Sequence, residues 1–215
     1  GALEAIRAGR QIIVANENAS EVSLIAEKGC LVAGHLQEVC AWLEGRHELA
    51  EPQENEEVVA YSPDDLSDIM GQEQGKRALE ITAAGGHNLL LIGPPGTGKT
   101  MLASRLSGLL PPLNNHEALE SAAIFSLVSS ISLHKQWRRR PFRSPHHSAS
   151  LTAMVGGGSI PGPGEISLAH NGILFLDELP EFERRVLDAL REPIESGEIH
   201  LSRTRAKISY PAQFQ

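Results

Sequence analysis

A chain of 215 residues is long enough to bury the core of one large domain or two smaller ones. Although 41% of its residues are hydrophobic, no apolar stretch approaches the roughly eighteen that a membrane helix needs, and no signal-like segment is present, which argues against a membrane-spanning protein. The net charge of −8 is uneven: residues 1–68 hold four basic and fourteen acidic side chains, residues 69–215 fifteen and thirteen, so nucleic acid would be met only through a local basic patch in the rear part.

The front segment alternates helix and strand patterns. Leu3–Ile6 reads as helix, Gln11–Val14 as strand, Ala19–Glu27 as helix and Cys30–Ala33 as strand, and His35–Leu43 is an amphipathic helix closed by Gly45. Residues 1–45 would make a meagre core alone, so they are read as the C-terminal part of a small α/β domain. The chain starts without Met and stops just after the strand-like Lys207–Tyr210, as expected for a piece of a longer protein. Cys30 and Cys40 form no C-x-x-C and read as packed, reduced thiols of a soluble cytoplasmic protein. Residues 46–60, with five glutamates and one proline, read as an acidic linker.

The second domain is expected over residues 61–215. Gln72–Ala84 reads as a helix leading to an apolar run, Asn88–Ile92, that has the length of a buried strand. Helices follow at about Lys99–Leu110 and His116–Val128, the first stopped by Pro111-Pro112. A loop-rich region over 129–172 precedes the strand Ile173–Leu176, the helix Glu183–Glu195 and two short strands near 199–202 and 207–210. Strands alternating with helices predict an α/β fold with a parallel sheet and helices on both faces.

Gly93-Pro94-Pro95-Gly96-Thr97-Gly98-Lys99-Thr100, followed by Met101, spells G-x-x-x-x-G-K-[ST] between the expected strand and helix. The glycines permit torsions that turn backbone N–H groups around an anion, and the helix start adds its unpaired amides. Pro94 and Pro95 cannot donate, so the donors come from Gly96 to Thr100. Lys99 supplies a charge for the outer phosphates, and the Thr100 hydroxyl is placed for Mg²⁺. A nucleoside triphosphate, ATP with Mg²⁺, is the implied ligand. Asp177-Glu178 ends the expected strand at the sheet edge where ligands bind. Neighbouring strand residues point oppositely, so Asp177 is read as holding Mg²⁺ and Glu178 as polarising the attacking water, with Lys99 assisting catalysis.

Lys135, Trp137, Arg138, Arg139, Arg140, Phe142 and Arg143 combine five positive charges with two aromatic rings, a composition suited to phosphates and exposed bases or to a subunit interface. His146-His147 has no third ligand at useful spacing, and neighbouring histidines in extended backbone point apart, so hydrogen bonding rather than metal is expected there.

These strings resemble a family. Ile69-Met70-Gly71-Gln72, the phosphate loop and the Asp177-Glu178 strand are similar to an AAA+ ATPase. Pro141 to Ser150, Gly156-Gly157-Gly158 and Pro163 to Gly172 resemble its magnesium-chelatase-like branch, and most specifically the bacterial ComM/YifB group. The resemblance is strong over about residues 65–215, and residues 1–45 are similar to the end of that group's ribosomal S5-like, Lon-protease-like domain. It implies that Ile69, Met70, Gly71 and Gln72 lie against the adenine and that Gly156–Gly164 is the helix-2 hairpin insertion facing the centre of a ring. It further implies a homo-hexameric motor on branched or single-stranded DNA, a helicase that migrates branches in natural transformation and recombination, with no membrane partner. The related chelatase subunits instead power metal insertion into a porphyrin, which is the alternative; a nucleotide-gated scaffold that hydrolyses little is a third reading. By the same resemblance the sensor-1 residue falls just beyond Gln215 and the lid further on, so efficient hydrolysis is expected of the intact protein.

Overall fold

The computed structural model describes residues 5–6, 8–24, 29–52, 64–128, 136–158, 162–203 and 206–215. They divide into two compact units, residues 1–60 with 133–137, and residues 61–132 with 138–215.

In the first unit, β1 (Ile12–Ala15) lies parallel to β2 (Cys30–Ala33), with Ile12 opposite Cys30 and Ala15 opposite Ala33. The short helix α1 (Ala19–Ser23) connects towards β2, which is the more buried strand: Cys30 and Leu31 are core residues. A parallel pair cannot close through a tight turn, which is why helical residues intervene. Helix α2 (Leu36–Leu43) starts where the ring Nδ1 of His35 accepts from the Gln37 amide. It ends at Gly45, whose φ of +72° lets the Gly45 and Arg46 amides return to the carbonyls of Trp42 and Ala41. Cys30 is buried as expected, and burial pushes its thiol pKa up; Cys40 is exposed, so only one of the two thiols is packed. The early part of the expected linker folds back: the Val32 amide donates to the Ala50 carbonyl at 2.8 Å in an antiparallel bridge. Residues 1–4, 25–28 and 53–60, parts of the expected helices and linker, lie outside the described residues.

The second unit is mixed α/β. Helix α3 (Glu73–Gly85) packs on α4 (Lys99–Leu109), burying Leu79, Leu102 and Leu106 with Ile69 and Ile173. Removing this much apolar surface from water is worth about 2 kcal/mol per large side chain, which fixes the floor beneath the phosphate loop. Helix α5 (Asn115–Phe125) begins with a capping box, in which Asn114 accepts from the Glu117 amide and Glu117 from the Asn114 amide, both at 2.9 Å.

The strand β3 (Phe142–Arg143) lies parallel to β6 (Ile173–Leu174), with Phe142 opposite Ile173 and Arg143 opposite Leu174. On the other side of β6, Phe214 bridges Gly172 in parallel and the Leu174 amide donates to the Gln215 carbonyl. This corner is locked by His170, 2% exposed, whose Nδ1 accepts from the Gln213 amide at 3.1 Å while its Nε2 lies 3.5 Å from Glu120. Burial pushes the His170 pKa down more than Glu120 and Glu117 raise it. The apolar run Asn88–Ile92, expected to be a buried strand, joins no ladder among the described residues, and Leu90 and Ile92 are 66% and 88% exposed. Apolarity alone does not make a strand: a ladder needs a partner segment, and none of the described ones pairs with it.

Further along, helix α6 (Leu151–Val155) runs into a small antiparallel hairpin, β4 (Gly156–Gly157) with β5 (Gly162–Pro163), where the resemblance implies one within the loop-rich region. The short helix α7 (Glu165–Leu168) follows and contributes Ile166 to a second core with Met154, Phe182, Val186, Leu190 and Ile199. The expected helix Glu183–Glu195 is two short ones, α8 (Arg184–Ala189) and α9 (Arg191–Ser196). Pro193 sits in the first turn of α9, where its missing N–H costs least. The chain then folds as a hairpin of β7 (Glu198–Arg203) and β8 (Ala206–Pro211), with Glu198 opposite Pro211. Among the described residues no helix is long and apolar enough to cross a membrane.

Candidate functional site

The phosphate-loop pattern is built on the start of α4. Gly96 and Gly98 adopt φ of +78° and +80°, conformations that a Cβ would strain, and Gly98 caps the helix. A Cβ at either position would have no atom within 4 Å, so the loop presents an open backbone face. The first amides of α4 have no preceding carbonyl to bond within the helix and are available to an anion. The loop is braced by its own polar groups: Lys99 Nζ donates to the carbonyls of Gly93 and Pro94, both at 2.9 Å, and Thr97 Oγ1 donates to Pro94 at 2.9 Å. From outside the loop, Gln72 Nε2 donates to the Thr97 carbonyl at 3.0 Å.

The segment Ile69–Gln72 divides its tasks. Ile69 is buried in the core beneath α3 and α4, Met70 is 95% exposed, and Gly71 and Gln72 have positive φ of +69° and +59°. Gln72 is therefore spent on the phosphate loop. Met101, in the first turn of α4, is exposed, and its carbonyl accepts from Ser104 Oγ at 3.0 Å.

The acidic pair meets the loop across 77 residues of sequence: Thr100 Oγ1 donates to Asp177 Oδ2 at 2.8 Å. Asp177 Oδ1 accepts from the Glu178 amide at 3.0 Å. Glu178 takes a left-handed conformation, φ +53° and ψ +47°, at the entry to a single 3-10 turn, Leu179–Glu181. The two acids meet different partners, and both lie in a turn rather than in a strand, because the ladder stops at Leu174. Glu178 Oε2 lies 3.1 Å from His147 Nδ1.

Sequence reasoning missed this histidine contact. It expected His146 and His147 to point apart, whereas their rings sit 4.0 Å centre to centre at 37°. The backbone turns at His147-Ser148, and His146 Nδ1 engages Ser148 Oγ at 2.8 Å, so the pair is not in extended backbone. No local signal marks the contact: His147 and Glu178 lie in turns, each four residues beyond a member of the Arg143–Leu174 pair. Among the described residues no group of three His, Cys, Asp or Glu is gathered for a metal.

The basic run is placed differently. Lys135 lies outside the described residues, and Trp137 is half-buried in the first unit. Arg138, with φ +59°, is exposed and donates to Asn115 Oδ1. Arg139 is half-buried. Arg140 donates to the carbonyls of Pro111 at 2.7 Å and Asn171 at 2.8 Å and lies 3.5 Å from Glu117. Phe142 stacks on Phe175 with centroids 6.0 Å apart. Arg143 grips Glu165 with two hydrogen bonds of 2.6 and 2.7 Å.

With the fold and this edge defined, the class is clear: residues 65–215 match the family model described as magnesium chelatase, subunit ChlI. The chain belongs to that family, whose fold is of the AAA+ ATPase type. It is 76% identical over 214 residues to YifB of Escherichia coli and 56% identical over 218 residues to the competence protein ComM of Haemophilus influenzae. These alignments cover 100% and 99% of this chain but 42% and 43% of the relatives, so the chain spans less than half their length. The magnesium-chelatase 38 kDa subunit of Rhodobacter capsulatus is 29% identical over 171 residues, covering 69% of this chain and 47% of that one. Among solved structures, the chain resembles one in the complex between subunits BchI and BchD of magnesium chelatase, with a TM-score of 0.54 and 26% identity, over 72% of this chain and 53% of that one.

Proposed function

We propose that this chain is the nucleotide-binding part of an ATP-hydrolysing AAA+ motor that works on DNA, a helicase or branch-migration factor of natural transformation or recombination. The observation that carries the nucleotide reading is the 2.8 Å hydrogen bond between Thr100 and Asp177. A hydroxyl and a carboxylate oxygen so close form the kind of donor set that a hard divalent cation takes. The open glycine face and the helix start beside them fit a polyphosphate.

Bound Mg-ATP supplies a phosphoryl group under attack and a metal that neutralises its developing charge. The chain supplies the rest. Amides from Gly96 to Thr100 orient the phosphates, and Lys99 turns its ammonium from the loop carbonyls to the outer phosphate oxygens. Thr100 and Asp177 would hold Mg²⁺. Glu178 orients the attacking water and takes its proton. Gln72 holds the loop from the adenine side, next to Ile69, Met70 and Gly71. Residues 1–45 would close a preceding α/β domain.

The DNA assignment draws on the similarity to a protein named for competence and on the basic run between Trp137 and Arg143. The likeness to a subunit of a chelatase complex supports assembly, which we assign as a homo-hexamer with ATP. The same likeness favours a second reading, an ATPase partner in a magnesium chelatase, with no DNA. The test is the steady-state ATPase rate of the full-length protein with and without branched DNA. Stimulation by DNA is the result expected of the motor, and a rate indifferent to DNA would move the assignment to the chelatase-type partner.

A further inference from the structure

We propose that Gln72 is a positioning residue of the phosphate loop: its side chain locks the peptide plane between Thr97 and Gly98, so that the Gly98 amide is set for phosphate before nucleotide arrives. This rests on the reading of the loop as a phosphate site. It also narrows what the resemblance implies for Gln72, from a contact with adenine to support of the phosphate end. The observation that carries it is the 3.0 Å hydrogen bond from Gln72 Nε2 to the Thr97 carbonyl. A trans peptide group is planar, with its C=O and N–H on opposite sides. Holding the Thr97 oxygen on the Gln72 side therefore holds the Gly98 N–H on the other.

That plane is easily turned. Rotating it by half a turn moves only the ψ of Thr97 and the φ of Gly98, and glycine accepts a negative φ as readily as the +80° it has here. The Gly98 carbonyl, which accepts from the Leu102 amide at 2.9 Å, keeps its bond through such a flip. The loop's own braces leave the plane free as well: Thr97 Oγ1 ties to the Pro94 carbonyl, and Lys99 Nζ to those of Gly93 and Pro94. The Gln72 bond acts on the plane itself.

Gln72 is fixed at its own base. Its carbonyl accepts from the Lys76 amide at 2.9 Å at the start of α3, while its side chain makes no capping bond to that helix. Helix α3 shares the core of Leu79, Leu102 and Leu106 with α4, and at Gly75 a Cβ would come within 2.9 Å of Leu102 Cδ1. The helix that carries the lock and the helix that carries the loop are thus packed as one support.

The test is displacement of a fluorescent ATP analogue from the full-length protein by Mg-ATP and by tripolyphosphate, in wild type, Gln72→Met and Lys99→Ala. Methionine keeps the length of glutamine and removes the donor. Position 72 is exposed, so Gln72→Met keeps the wild-type urea midpoint. An unlocked loop is competent for part of the time, which weakens every phosphate ligand by one shared factor. ATP and tripolyphosphate are expected to lose affinity equally, by about 3- to 10-fold, the net contribution of one hydrogen bond. The loss falls on KM rather than on kcat, because bound phosphate itself holds the plane. Weaker ATP beside unchanged tripolyphosphate would overturn the lock and return Gln72 to the adenine. Both ligands unchanged in Gln72→Met, with tripolyphosphate weakened in Lys99→Ala, would overturn the lock alone. A lower urea midpoint with a fall in kcat would also overturn it, as a structural effect. Tripolyphosphate bound normally by Lys99→Ala as well would overturn the phosphate-site reading along with it.

Discussion

At the phosphate loop, polar groups meet at an open edge: Lys99 rests on two loop carbonyls, Thr100 on Asp177, and Glu178 on His147. In the basic run two guanidinium groups are turned inward, Arg140 onto the carbonyls of Pro111 and Asn171 and Arg143 onto Glu165, while Phe142 stacks within the unit. Both regions are rich in polar and charged residues in the sequence. They differ in what those residues are bonded to. Lys99 exchanges weak carbonyl contacts for phosphate oxygens at little loss, whereas Arg143 would have to abandon a two-point grip on a carboxylate. A charge count therefore measures the capacity of a segment to bind phosphate only after its internal partners are subtracted.

The contrast can be broken from either side. Replacing Lys99 with Ala should have the largest effect, lowering ATP turnover on the order of 10²–10³-fold, since it removes a donor aimed at developing charge. Turnover near the normal rate would show the loop to be no phosphate site. Arg143→Ala should destabilise the second unit by about 2 kcal/mol, as loss of hydrogen bonds to a charged group, read from the midpoint of urea unfolding. A variant of unchanged stability that binds DNA less tightly would instead make Arg143 a contact residue.

Replacing Arg138 and Arg139 with Ala should flatten the salt dependence of DNA binding by up to about two counterions. An unchanged slope would remove these two from the DNA footprint. The smallest effect concerns His170. Its folded pKa is lowered by burial, so the unfolded chain takes up that proton first as pH falls through the ordinary histidine range. Stability should drop over that interval and level off below the folded pKa, and His170→Gln should show a flatter profile. An identical profile in the variant would assign the dependence to other groups.

Much of the architecture was legible because local rules and tertiary demands agree. The apolar runs Ile12–Ala15 and Cys30–Ala33, the helix Leu36–Leu43 with Gly45 beyond it and the loop before Lys99 carry their own start and stop signals. Asn88–Ile92 was misread because pairing is decided by another segment and not by its own apolarity. His147 was missed for the same reason: its contact with Glu178 joins two turns far apart in the sequence, which no local pattern displays. The inward turn of Arg140 and Arg143 was equally invisible, since Glu165 and Asn171 lie far along the chain.

Single-turnover hydrolysis of bound ATP by the full-length protein, wild type against Glu178→Gln, tests the central assignment most directly. The account predicts that the variant binds ATP as tightly as wild type and hydrolyses it on the order of 10²–10⁴-fold more slowly. Hydrolysis at the wild-type rate would place the water-activating group elsewhere and contradict the reading of the Asp177-Glu178 edge as the catalytic one.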